Sequence, residues 1–190
     1  YKRLEKIERM DKRNISIMTT ADVDVTSKGH RYVIAAINEL RKKNINVTYY
    51  LAGAGNQDAI KKQARDLGVE NSIVFLGRLP LEKVFSYIDD IDIYVHPSLQ
   101  EGLPRAIIEA MSRACPCLGA NTAGIPELLD EECVFEKASS GAIVSSICNI
   151  LKSDIKQYAI NNFIHCACYQ NDELNKRSNS YFNYIKEDLD

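Results

Sequence analysis

The chain has 190 residues, with 24 Lys and Arg against 26 Asp and Glu for a formal net charge of −2, and 45% of it is hydrophobic. Such a length suits one domain, or one domain with an appendage, and such a composition excludes a disordered chain. The balanced charge excludes a general binder of the nucleic-acid backbone, and no apolar run approaches the roughly 18 residues needed to cross a bilayer.

The opening Tyr1-Lys2-Arg3-Leu4-Glu5-Lys6 is charged, lacks a Met and has no apolar core region behind it. The expectation is a fragment of a longer protein, without a secretory signal. Residues 1–13 read as a connector. Asn14–Thr20 reads as a first strand. Residues 28–43 place Val33, Ala36, Ile37 and Leu40 on one apolar stripe at helical spacing. Residues 46–52 form a second strand closed by Gly53-Ala54-Gly55, and Ile60, Ala64 and Leu67 mark a helix stopped by Gly68. Residues 72–76 form a third strand. Gly77-Arg78-Leu79-Pro80 then turns into a helix carrying Leu81, Val84, Phe85 and Ile88. A fourth strand covers 91–95. Pro104 stands where a first-turn proline belongs, ahead of Ile107, Ala110, Met111 and Ala114. Residues 115–120 give a fifth strand and 133–135 a sixth, after which 139–151, 154–169 and 171–188 read as helices, the last on Leu174, Tyr181 and Ile185.

Strands separated by helices imply βαβ units. The expected fold is α/β: a Rossmann-like, doubly wound parallel sheet of about six strands with helices on both faces and a helical C-terminal extension. The expected boundaries are a linker over 1–13, the sheet domain over 14–152 and C-terminal helices over 153–190. Six cysteines, at 115, 117, 133, 148, 166 and 168, make two C-x-C pairs and no C-x-x-C. His165 beside Cys166 and Cys168 is a weak metal hint, whereas small buried thiols in a reducing cytoplasm are the default.

In a doubly wound sheet, ligands bind outside the carboxyl ends of the strands. Residues 21–29, 53–56, 77–80, 96–104 and 121–127 therefore carry the information. Lys28 beside Gly29, with the amides of residues 102–105 at a helix start, makes a reasonable phosphate site. Taken alone, the glycines fit tight turns that end strands better than they fit a phosphate site. Two acids complete the set: Glu101 precedes the fifth-strand crossover helix and Glu109 lies in its second turn among Ile107, Ile108 and Ala110. A carboxylate there requires hydrogen-bond donors, such as sugar diols, unless it is solvated on the helix's outer face.

Pro97-Ser98-Leu99-Gln100-Glu101-Gly102-Leu103-Pro104-Arg105-Ala106-Ile107-Ile108-Glu109-Ala110-Met111 resembles the E-x7-E motif of retaining GT-B glycosyltransferases, the group 1 type. Lys28-Gly29-His30, Leu51-Ala52-Gly53-Ala54-Gly55, Phe75-Leu76-Gly77-Arg78-Leu79-Pro80 and Ala123-Gly124-Ile125-Pro126-Glu127 resemble four further family segments, in the family's order. The likeness runs from about residue 15 to 129. It implies the C-terminal, donor-binding half of a GT-B fold, with an N-terminal domain that holds the acceptor as partner.

The resemblance also implies roles. Glu101 would hold the transferred hexose and, with Lys28, belong to the catalytic set. Glu109 would bind the ribose, and Lys28 with residues Leu103, Pro104, Arg105 and Ala106 after Gly102 would hold the diphosphate. Gly77, Arg78 and Leu79 would surround the base, beside the Gly53 and Gly55 turn. No metal or other cofactor is implied. The donor would be a nucleotide-diphospho-sugar, and the acceptor a glycan or lipid-linked sugar in cell-surface polysaccharide or glycoconjugate synthesis. The full-length enzyme would be cytoplasmic or peripheral at the inner membrane face, and this half alone inactive. Val23 stands where many members carry an Arg, and Ala114 and Ala123 stand where glycines are common. The alternatives are a non-catalytic nucleotide-binding module and a GT-B sugar-nucleotide epimerase domain.

Overall fold

A computed structural model describes residues 2–169. Six strands, β1 (Asn14–Thr20), β2 (Asn46–Ala52), β3 (Ile73–Gly77), β4 (Ile93–His96), β5 (Cys117–Ala120) and β6 (Val134–Phe135), form one sheet in the order β3-β2-β1-β4-β5-β6. Every pair is parallel. This is the Rossmann-like, doubly wound arrangement expected. Because β4 returns to the other side of β1, the crossovers diverge there and leave an opening at the carboxyl ends of both strands.

Eight helices accompany the strands among the described residues: α1 (Lys2–Glu8), α2 (His30–Lys42), α3 (Asp58–Asp66), α4 (Leu81–Asp90), α5 (Arg105–Ser112), α6 (Ile125–Leu128), α7 (Ser140–Lys152) and α8 (Ile155–Cys166). On one face α2 packs against α3 and α7; on the other, α5 packs against α4 and α8. The stripe on α2 is the one expected, since Val33, Ala36, Ile37 and Leu40 are all buried against the sheet. Each large aliphatic side chain removed from water in this way contributes about 1.5–3 kcal/mol. Met18, Leu51, Ile93, Val95 and Leu118 line the middle of the core, which explains why the strand segments read as continuous apolar runs.

Several boundaries differ from the sequence reading, each for a local reason. Lys28 is not part of α2: it ends a 3-10 turn over Thr26–Lys28, and Gly29, at φ +73°, separates that turn from the helix. Pro104 caps α5 instead of occupying its first turn, because its ψ of 88° is not helical. β4 starts at Ile93, since the Asp92 carboxylate turns aside to accept from Ser16 N and Oγ, both at 2.7 Å. β5 starts at Cys117, after Ala114 at φ +51° and Pro116, which has no amide hydrogen. The four-residue α6 was not expected. Residues 171–188, read as a helix, lie outside the described residues.

The charged start of the chain also folds. Within α1, the buried Arg3 guanidinium donates to the carbonyls of Ile91, at 2.5 Å, and of Ile88, while Lys6 pairs with Asp92. These carbonyls close α4, where a cation suits the negative end of the helix dipole.

All six cysteines are unpaired thiols, and burial pushes that of Cys133 up to about 12. Among the described residues no group of three His, Cys, Asp or Glu is placed to hold a metal, and His165 instead donates from Nδ1 to the Leu128 carbonyl at 3.0 Å. No helix among the described residues is long and apolar enough to cross a membrane.

Candidate functional site

The site forms where the β1–α2 and β4–α5 loops meet at the carboxyl ends of adjacent strands. These loops are joined through their main chains. Leu99 N donates to Ser27 O at 2.7 Å, and the buried Ser98 hydroxyl donates to the same carbonyl at 3.3 Å. Gly29 passes so close to Pro97 that a Cβ there would lie 2.0 Å from the Pro97 carbonyl oxygen. Only glycine satisfies both this approach and the left-handed φ.

That lacing brings Lys28 to Glu101. Lys28 Nζ donates to Glu101 Oε1 at 2.6 Å, and the same oxygen lies 2.9 Å from His96 Nε2. Hydrogen bonding from His96, with that from Lys28, outweighs the cost of burial and holds the Glu101 carboxyl down at about 2. His96 ends β4 and is 3% exposed, and its ring stacks on Tyr94 with centroids 6.2 Å apart.

Glu109 is in a different state. It lies half-buried on α5, one turn after Arg105, and among the described residues no donor reaches its carboxylate. Burial pushes its pKa up, and the charge of Arg105 only partly opposes this. A carboxylate in that condition gains from any donor a ligand can bring. The start of α5 is similarly incomplete: no side chain caps it, so its first-turn amides face outward with the positive end of the helix dipole. Gly102 and Leu103 are exposed beside it, Pro104 is buried, Arg105 is exposed and Ala106 half-buried. Gly102 O accepts from Gly124 N at 3.3 Å, which ties the loop after β5 to this one.

The remaining expected residues gather at the neighbouring strands. Gly53 N donates to Gly77 O at 2.9 Å, so the turns after β2 and β3 touch. Two aspartates that the sequence reading did not single out hold the first turn: Asp22 accepts from Ala54 N at 3.0 Å and Asp24 from Asn56 N at 3.3 Å. Gly55 adopts φ +113° between them. Arg78 is exposed and Leu79 half-buried. Among the described residues, this second group has no hydrogen bond to the Lys28–Glu101 pair. Val23, where the resemblance would place an Arg, is buried, with its amide donating to Ala54 O at 2.7 Å.

The sequence reading also missed His96 and His30. The former opens the 96–104 segment after the fourth strand, and its signal was a polar residue closing an otherwise apolar strand. His30 is 2% exposed, with Nδ1 3.1 Å from Tyr49 Oη and Nε2 3.1 Å from the Asp22 carbonyl, and burial lowers its pKa to about 4. It fastens the start of α2 to β2 and to the loop that presents Lys28.

Residues 14–153 match the family described as glycosyl transferases group 1. Among curated relatives, the protein CapJ of Staphylococcus aureus is 27% identical over 145 residues, 72% of this chain and 37% of its own length. The amylovoran biosynthesis glycosyltransferase AmsK of Erwinia amylovora is 32% identical over 110 residues, 54% of this chain and 27% of its own. The chain thus spans about a third of these relatives. Among solved structures, sucrose-phosphate synthase from Thermosynechococcus elongatus superposes with a TM-score of 0.79 at 15% identity, covering 97% of this chain and 48% of that one. The C-terminal domain of a glycosyl transferase group 1 protein from Francisella tularensis gives 0.70 at 20% identity, covering 80% and 84%. The structural likenesses carry the fold, and the sequence match over residues 14–153 carries the family: this chain belongs to the glycosyl transferases group 1.

Proposed function

We propose that this chain is the donor-binding half of a retaining, GT-B hexosyltransferase. The observation that carries it is the pairing of an anchored carboxylate, Glu101, with Lys28 at the opening between β1 and β4, one helix away from the donor-free carboxylate of Glu109. Lys28 and the uncapped start of α5 suit a diphosphate. As the bond from sugar to phosphate breaks, charge builds on the leaving group, and a cation with a helix N-terminus aimed at it lowers the barrier. Glu101 accepts from hydroxyls of the transferred hexose, Glu109 accepts from the ribose, and the turns at Gly53–Gly55 and Gly77–Leu79 border the base. No metal is needed for charge that Lys28 and the helix already meet.

The acceptor in this reading is a glycan or lipid-linked sugar held by a separate N-terminal domain, from which residues 1–13 lead. Relatives named for amylovoran and colanic acid biosynthesis support a role in polysaccharide synthesis. This reading assigns the product to the cell surface and its synthesis to the cytoplasm or its membrane face. A neighbour from Anabaena was solved with UDP and glucose, which supports a nucleotide-sugar donor.

Calorimetry with UDP, GDP and ADP, with and without a chelator, tests the reading. One of the three should bind at micromolar to millimolar concentration, unaffected by the chelator. Absence of binding by all three would sink it.

A further inference from the structure

We propose that His96 is a positioning residue, which keeps Glu101 directed at the sugar after Lys28 has moved to the donor's phosphates. The inference rests on the donor reading above and deepens it. In the ligand-free site, Lys28 and His96 share one oxygen, Oε1 of Glu101, at 2.6 and 2.9 Å. They differ in what else they can do. Lys28 is a single charge on a flexible stem, its side chain 27% exposed, and a diphosphate competes for it. His96 is 3% exposed, fixed at the end of β4 and stacked on Tyr94.

The hydrogen-bond inventory of the ring points the same way. Its Nδ1 is buried without a partner, so the contact with Glu101 is the ring's one polar engagement. With Nε2 as the donor, the ring meets Oε1 and leaves Nδ1 bare. Neither this bond nor that of Lys28 engages Oε2, the oxygen left for a sugar hydroxyl. When the diphosphate takes Lys28, His96 is the larger of the holds that remain on the carboxylate, beside the lesser one of the Ser98 hydroxyl. Without His96, Glu101 can rotate after the lysine, and the sugar loses its acceptor.

The test separates nucleotide from sugar. Affinities of the chain for UDP, GDP and ADP, each alone and as a hexose conjugate, are measured for the parent, His96→Phe and His96→Gln. The parent should gain affinity from the hexose. His96→Phe, which has no donor, should lose most of that gain, on the order of tenfold, while holding the bare nucleotide within about twofold. His96→Gln places an amide N–H near the position of Nε2 and should restore it. In a Glu101→Ala background, His96→Phe should change nothing further. A hexose gain that survives His96→Phe, or an equal loss for nucleotide and conjugate, overturns the proposal. If the parent binds no nucleotide, the donor reading fails and this inference fails with it. Should His96→Phe not fold, His96→Asn carries the same expectation, because its amide reaches only the place of Nδ1.

Discussion

Lys28 and Glu101 are 73 positions apart in sequence and 2.6 Å apart in space, and each is the other's competitor for ligand. In the donor reading, phosphate must draw Lys28 off Glu101. Glu101→Ala should therefore tighten binding of a bare nucleoside diphosphate, by about two- to fivefold, since partly exposed ion pairs are worth about 0.2–1 kcal/mol. The same variant should weaken binding of the hexose conjugate. Opposite signs for the two ligands, measured by calorimetry, identify the competition. A loss for both would show that Glu101 merely shapes the loop.

Lys28→Ala should lower nucleoside diphosphate affinity by about tenfold, the cost of one charge-assisted contact. Its melting temperature should change little, because His96 still satisfies Glu101 and the loops remain joined at Ser27 and Leu99. A variant that binds as well as the parent removes Lys28 from the phosphate site.

Glu109→Gln should separate stability from binding. The raised pKa of Glu109 means that the folded state disfavours its charge, so the unliganded variant should melt higher than the parent at neutral pH. The difference should vanish as pH falls below the ordinary carboxylate range, where both states are protonated. Nucleoside diphosphate affinity should drop by about tenfold, while pyrophosphate, which has no ribose, should be unaffected. Equal losses for the two ligands would assign Glu109 to the helix and not to the ribose.

Acid should destabilise the domain in two separate windows. His30, lowered to about 4, accepts its proton less readily when folded, so its contribution is intact above about pH 6.5 and is lost as pH falls toward 4. Glu101, held down at about 2, contributes stability above its ordinary value of 4.5 that is lost as pH falls toward 2. Melting curves of His30→Gln should be flatter between pH 6.5 and 4, and those of Glu101→Gln flatter below 4.5. An unchanged slope in either variant contradicts the corresponding assignment.

Ala114 and Ala123 stand at φ +51° and +43°, in the left-handed region that favours glycine. A left-handed conformation costs an L-residue about 1–2 kcal/mol, and glycine's extra chain entropy returns about half of that. Ala114→Gly should therefore stabilise the domain by roughly 0.5–1 kcal/mol in urea denaturation. A destabilised variant would show that the Ala114 methyl group contributes packing of greater worth than the strain.

Most of the architecture was legible because its signals are local. The stripe of α2 and the runs of β1 and β2 need only the periodicity of a single segment, and the structure buries the very residues that carry it. What escaped depends on partners distant in the chain. Arg3 and Lys6 look like solvated charges until the carbonyls closing α4 and the Asp92 carboxylate are placed beside them. Lys28 looks like the first residue of a helix until Gly29 is pressed on Pro97. Of the site, the segments were readable but their connections were not. His96 heads the segment that follows the fourth strand, yet nothing in one strand shows that its ring reaches an acid five residues later across a loop.

The crowding at Gly29 has a counterpart at Gly77, where a Cβ would meet no atom within 4 Å although φ is +67°. One end of the cleft is thus assembled from backbone pressed on backbone, and the other borders empty space. The two ends should respond differently to substitution. Substitutions around residues 28–29 and 97 alter the spacing of a charge pair, whereas a side chain added at residue 77 meets open space. In the donor reading, variants at residues 77–79 should therefore change which base is accepted while leaving the handling of phosphate intact.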